Sequence, residues 1–346
     1  MVAELKNGPW NLTDIKDVPK NGFKVFSCFH CGGGSTMGYK LAGYDVLGGV
    51  EIDPEMMAVY KANHNPKHSF LMGVQDFKKL SNESLPKELF ELDILDGSPP
   101  CSTFSMAGKR EEKWGDEHHF REGQAKQVLD DLFFQFIDVA EKLQPKVVVA
   151  ENVKGLVLGN AKGFVKEIFA AFRKAGYEPQ LFLLNAATMG VPQRRERTFF
   201  VARRMDLGLQ KIALGFNEPI VSVKTAFANM KKQNGNALTE ETHRLWKLLR
   251  PGDPMSKAEN RGNGFNNYKL CWNGPANTLA AHGALYHALE PRNISDGECL
   301  RLQSFPDDYD YGKVGARYLC GMSVPPFMTQ RIAIEIEKQW LCLKRT

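Results

Sequence analysis

No stretch of the 346 residues reaches the ~18–20 uncharged apolar residues that a membrane helix needs, so no membrane span is expected. Internal repeats and low-complexity tracts are absent, which excludes solenoids and arrays. Residues 1–19 lack a basic region followed by an apolar run, and no signal peptide is expected there. Cysteine is sparse: seven residues, odd in number and scattered, which excludes a disulfide-dense scaffold and fits reduced thiols inside a cell. An excess of one charge is nearly missing too. The 45 basic and 40 acidic residues leave a net +5, which hints at a polyanionic partner without establishing one. What is present is ample core material, 43% apolar and 10% aromatic, on a length that favours two domains.

Over the first two hundred residues, strand-like and helix-like patterns alternate. Short strands are expected at 24–26, 46–52, 92–95, 146–150, 181–184 and 198–202. Helices are expected between them, notably the amphipathic run 128–143 and the run 164–172 that Gly176 would cap. This βαβ rhythm predicts an α/β fold, a mostly parallel sheet flanked by helices. The rhythm stops near Arg204 and partly resumes after Pro291, ending in a helix from about Pro326 to Leu343. Residues 205–285 hold ten Lys or Arg against six Asp or Glu, with Asn/Gly-rich stretches. That composition predicts a smaller, loop-rich domain inserted into the first.

Chemistry-bearing residues gather where strands should end. Gly32, Gly33 and Gly34 follow the first strand, and Glu51 and Asp53 end the second, an arrangement that lets backbone approach a cofactor and a carboxylate meet ribose hydroxyls. The same turn holds Cys28-Phe29-His30-Cys31, the placement of a thioredoxin-like redox pair. Against that reading, three glycines weaken the helix start that would lower a thiol pKa, and a zinc site lacks a second C-x-x-C; no metal is expected. Gly97-Ser98-Pro99-Pro100-Cys101 aims a thiol rigidly from the carboxyl edge of the sheet, and the polar stretch 102–123 reads as a mobile lid. Glu151, followed by Asn152 and Val153, ends a buried strand, where a carboxylate must be paired or carry a raised pKa. Gln193-Arg194-Arg195-Glu196-Arg197 introduces the next strand. One thiol, one carboxyl and an arginine cluster on converging strand ends suit nucleophilic attack on a polar ring.

In this order, Pro100-Cys101-Ser102-Thr103-Phe104-Ser105, Glu151-Asn152-Val153 and the Gln193–Arg197 run resemble the cytosine-5 DNA methyltransferase family, of bacterial type. Residues 29–43, Asp76-Phe77, 292–306 and 321–325 look like further motifs of that family, so the resemblance covers about 22–204 and 290–343. Three positions depart from the family pattern: Cys31 stands where it has Gly, Met322 where it has Asn, and Met189 where an aromatic is frequent.

The resemblance implies a Rossmann-like methyltransferase fold, with 1–204 plus 290–346 catalytic and cofactor-binding and 205–289 a target-recognition domain. S-adenosyl-L-methionine is the implied cofactor and double-stranded DNA the implied partner. By the same resemblance, Cys101 is the nucleophile toward carbon 6 of a flipped-out cytosine, and Glu151 acts on the exocyclic amine and ring nitrogen 3. Arg197 holds the ring oxygen and Arg195 supports the cysteine-bound state, while Gly97, Ser98, Asn152 and Val153 surround the base. Phe29, Gly32, Gly33, Gly34, Glu51, Ile52, Asp76, Phe77, Pro100 and Ser323 form the cofactor site. Further expectations are a cognate restriction endonuclease, action as a monomer, and a cytoplasmic (nucleoid) location if bacterial or a nuclear one if eukaryotic. Two alternatives stay open: a tRNA cytosine-5 methyltransferase, whose Cys-Phe-Thr signature is missing here, and a catalytically silent DNA-binding regulator.

Overall fold

The computed structural model describes residues 7–100, 117–118, 127–128, 131–158, 162–231, 234–260 and 266–342. Cys101 lies outside the described residues, as does the 102–123 stretch apart from a two-residue strand. The strands are β1 (Lys24–Cys28), β2 (Asp45–Glu51), β3 (His68–Leu71), β4 (Ile94–Gly97), β5 (Glu117–His118), β6 (Gln127–Val128), β7 (Val147–Val153), β8 (Tyr177–Asn185) and β9 (Glu196–Arg204). Seven of them form one sheet in the order β3-β2-β1-β4-β7-β9-β8. Its pairings are parallel except those of β9, which runs antiparallel to both neighbours.

Helices cover both faces, and the strand sequences show why. Consecutive side chains alternate between two cores. Val25, Ile94, Val147, Val149, Phe199 and Val201 enter one cluster, and Phe26, Leu95, Val148, Ala150, Phe200 and Ala202 enter the other. The helices are α1 (Gly34–Leu41), α2 (Pro54–His64), α3 (Val74–Lys79), α4 (Leu132–Leu143), α5 (Lys162–Lys174), α6 (Val223–Ala226), α7 (Glu240–Leu248), α8 (Asp296–Leu302), α9 (Ala316–Met322) and α10 (Pro326–Ile336). The first cluster takes residues of α1 and α10, and the second takes residues of α3, α4 and α5. No helix among the described residues is long and apolar enough to cross a membrane.

The differences from expectation are local. β3, with no continuous apolar run and an exposed end, is an addition at the sheet edge. The final helix is α-helical only to Ile336, then closes in a π turn, Glu337–Leu341, with Cys342 N donating to Glu337 O. Two stretches, β10 (Tyr268–Lys269) and β11 (Leu285–Tyr286), pair in parallel within the basic segment. Leu245, Leu249, Met255, Ala258 and Tyr286 form their own small core there, whereas Leu270, Ala276, Leu279 and Leu285 join the main one.

One glycine on β2 is demanded by the sheet itself. Gly48 has φ +138°, at a register shift opposite β1, and a Cβ there would lie 1.7 Å from His68 O. Gly48→Ala must strain the backbone and push β3 off the edge. We expect it to lower unfolding free energy by about 3 kcal/mol or more in urea titration. A variant as stable as the parent would contradict this packing.

Candidate active site

The sheet reverses its winding between β1 and β4, and the carboxyl ends of the strands there open a crevice, the usual position for a ligand in a doubly wound sheet. A cavity of about 400 Å³ occupies it, within the range of small-molecule sites. The cavity has two halves.

Phe29, Cys31, Glu51, Ile52 and Met56 line the first half. The chain leaves β1 through Phe29 (φ +55°) and Cys31 (φ +46°), two residues in the left-handed region before the Gly33 cap of α1. Gly34 begins α1 so close to 323–324 that a Cβ would lie 2.2 Å from Val324 O. At the tip of β2, Glu51 accepts backbone N–H bonds from Cys31, Ile52 and Asp53, each at 2.9 Å. Burial nevertheless outweighs these donors and pushes its carboxyl up to about 7. Asp53 serves the helix instead, capping α2 through the Glu55 and Met56 N–H groups, with Pro54 at its first position. Ser323, at the C-cap of α9, keeps its Oγ buried with no partner among the described residues.

Ser98, Pro99, Pro100, Glu151, Asn152, Val153, Arg195 and Arg197 line the second half, joined by residues 278 and 280–282. Glu151 near the end of β7 meets Arg197 at the start of β9, two register positions away, at 2.9 Å between Oε1 and Nε. Of the two possibilities for a carboxylate there, paired or protonated, the structure provides the partner. Asn152 Nδ2 donates to Pro99 O at 3.0 Å, tying β7 to the proline loop that delivers Cys101. Arg195 is buried beside Arg197, and both effects disfavour its charge. Three backbone carbonyls answer it: Leu279 O, Gly321 O and Ser323 O, at 2.9–3.1 Å. Its Nε stays buried without a partner among the described residues.

The structure does not bring every expected residue to this cavity. Asp76 sits exposed on α3 and pairs with Lys79 at 3.3 Å. Phe77 is fully buried, stacked on Phe26. Gly32, Gly33, Gly34, Gly97 and Ser323 stand behind the wall rather than in it. Other lining residues carry little sequence signal: Met56 on a helix flank, His282 in a loop, and Tyr318 on α9, whose ring meets that of His282 in a T-shaped contact.

The surroundings of the Cys28/Cys31 pair disfavour the thiolate that a redox pair needs. Burial pushes both thiols up, and the carboxylates of Glu51, Glu151 and Asp53 add to the effect on Cys31. His64 and His68 stand at an H-x-x-x-H spacing but contact different partners, Tyr309 and Glu88. Among the described residues no group of three His, Cys, Asp or Glu is placed to hold a metal ion.

Sheet order and flanking helices define a Rossmann-like fold. The chain belongs to the C-5 cytosine-specific DNA methylase family, whose model matches residues 23–270 and 222–338, and is thus a DNA cytosine-5 methyltransferase. Similar curated proteins include the type II methyltransferases M.Sau96I of Staphylococcus aureus (30% identity, 90% of this chain and 75% of that one) and M1.HphI of Haemophilus parahaemolyticus (30%, 90% and 85%). Among solved structures, a prophage-encoded E. coli protein described as a DNA modification methyltransferase shares the fold at TM-score 0.73 and 20% identity, over 92% of this chain and 99% of that one. The S. pombe Dnmt2 methyltransferase does so at 0.62 and 17%, over 93% and 100%.

Proposed function

We propose that the chain methylates carbon 5 of a cytosine flipped out of a specific duplex DNA sequence, with S-adenosylmethionine as donor and a covalent adduct on Cys101. The observation that carries this reading is a single cavity holding the Glu51 half and the Glu151–Arg197 pair, with Asn152 clamped to the loop that leads into Cys101. An aromatic ring at Phe29, apolar walls at Ile52 and Met56 and a buried carboxylate suit an adenosine-bearing cofactor. Phe29, Glu51, Ile52 and Pro100 would hold it, and Asp76 and the Ser323 side chain, which lie outside the cavity, are left without a role. When bound, it supplies an activated methyl group.

The chain's own residues do the rest. Base extrusion is paid for by contacts at Ser98, Asn152 and Val153. The Cys101 thiolate adds to carbon 6, which makes carbon 5 nucleophilic. Glu151, taking up a proton from water as the base enters, bonds the exocyclic amine and passes that proton to ring nitrogen 3, leaving its carboxylate paired with Arg197, and Arg197 also neutralises the ring oxygen. Water takes the carbon-5 proton, the electron pair restores the C5–C6 double bond and expels the Cys101 thiolate, and ring nitrogen 3 gives its proton back to Glu151, releasing the product. Residues 205–289 act as the target-recognition domain, through Lys and Arg on phosphates and polar side chains on base edges. A partner restriction endonuclease and a monomeric enzyme complete the proposal.

Incubation with labelled methyl donor and duplex DNA, beside a tRNA arm, tests the reading. Label is expected as 5-methylcytosine in DNA; label in tRNA alone would overturn it. The Glu51 carboxyl adds a pH test. Its anion is the form that accepts from ribose hydroxyls, so affinity is full above about pH 7 and falls below it, by up to about tenfold per unit. Calorimetric titration with S-adenosylhomocysteine should show that slope in the parent and a weaker, flat profile in Glu51→Gln. An equal slope in both would remove Glu51 from the cofactor site.

A further inference from the structure

Three segments converge at the cavity wall: residues 192–195 entering β9, residues 276–281, and residues 321–323 at the end of α9. The first two meet in an isolated parallel bridge, with Arg194 N donating to Ala276 O and Ala276 N to Pro192 O. Two buried amides then run from the base side to the cofactor side. Leu279 N donates to Gln193 Oε1, Gln193 Nε2 to Gln303 Oε1 at 2.7 Å, and Gln303 Nε2 to Ser323 O at 2.6 Å. Arg195 bridges the same ends in parallel, from Leu279 O to Ser323 O. No slack exists between them, since a Cβ on Gly321 would lie 2.1 Å from Ala281 N.

We propose that the Gln193–Gln303 amide pair is a positioning relay that couples cofactor occupancy at residues 321–323 to capture of the target base beside residues 278–281. The inference rests on the cofactor reading above. Both glutamines are fully buried and neither lines the cavity, so they act through the segments they join. Their hydrogen bonds have one consistent direction, which a displaced 321–323 segment must break or transmit. Binding linkage makes the effect reciprocal: whatever the cofactor does for DNA, DNA does for the cofactor.

Gln303→Met keeps volume and strands no neighbour, because Gln193 Nε2 retains Leu302 O and Ser323 O retains Arg195 Nη2. The experiment measures S-adenosylhomocysteine affinity by calorimetry, alone and with saturating duplex DNA bearing the sequence found methylated in expressing cells. DNA should tighten cofactor binding by about fivefold or more in the parent. Gln303→Met should keep each separate affinity within about twofold and lose most of that coupling. Gln193→Met should lose it too, and the double variant no more than either single one. A folded Gln303→Met with full coupling overturns the relay, as does weakening of both separate affinities with coupling intact. If the parent shows no coupling, the relay is likewise overturned. If the parent fails to bind S-adenosylhomocysteine at all, the cofactor reading falls, and the relay with it.

Discussion

Cys101→Ser is expected to lower methyl transfer by roughly 10⁴-fold or more and to abolish covalent capture by 5-fluorocytosine DNA. A cysteine thiol ionises far more readily than a serine hydroxyl and is the better nucleophile at carbon 6. Pro99 and Pro100 fix the approach of the loop, and Asn152 holds it through Pro99 O. Cofactor affinity should therefore stay within about twofold of the parent, which separates lost chemistry from lost structure. A serine variant that still traps the fluorinated base would place the nucleophile elsewhere.

Arg197→Met is expected to have the second largest effect, on activity and stability together. Arg197 is the partner of Glu151 at 2.9 Å, with side-chain exposures of 15% and 12%. Removing the cation leaves a largely desolvated carboxylate. Breaking a buried pair from one side typically costs about 3–5 kcal/mol, and the residual exposure lowers our expectation to roughly 2–4 kcal/mol. Turnover should fall by roughly 10²–10³ because the developing charge on the ring oxygen loses its donor. Adding Glu151→Gln removes the stranded charge, so the double variant should regain stability without regaining activity. Denaturant midpoints and initial rates measure both. A double variant no more stable than Arg197→Met would mean that the pair is not the electrostatic unit described.

The sequence is most legible where a pattern is continuous. β1, β2, β4, β7 and β9 are apolar runs buried on both faces, and the acids and arginines that end them stand out against those runs. Glu151 and Arg197 were readable for that reason, although their pairing depends on an antiparallel β9, and strand direction leaves no mark on composition. β3 was missed because an edge strand of four residues needs no apolar continuity. The Gln193–Gln303 relay was illegible, since it joins side chains 110 residues apart.

Charge counting also has a limit. Lys269, one of the basic residues of the 205–285 segment, turns inward. Its ammonium donates to Trp246 O and Leu249 O and lies 3.7 Å from the Trp246 ring centroid. Lys257 is held by Asp253 at 2.6 Å. The excess of the segment is therefore shared between its own folding and its outer surface, and counts alone overstate what faces a phosphate backbone.

Base-resolution sequencing of 5-methylcytosine in DNA from cells expressing the chain, beside cells expressing Cys101→Ser, tests the central claim most directly. The account predicts methylation of carbon 5 at one cytosine of a defined sequence context, complete with the parent and absent with the variant. Unmethylated DNA with the parent, or equal methylation with both, would contradict it.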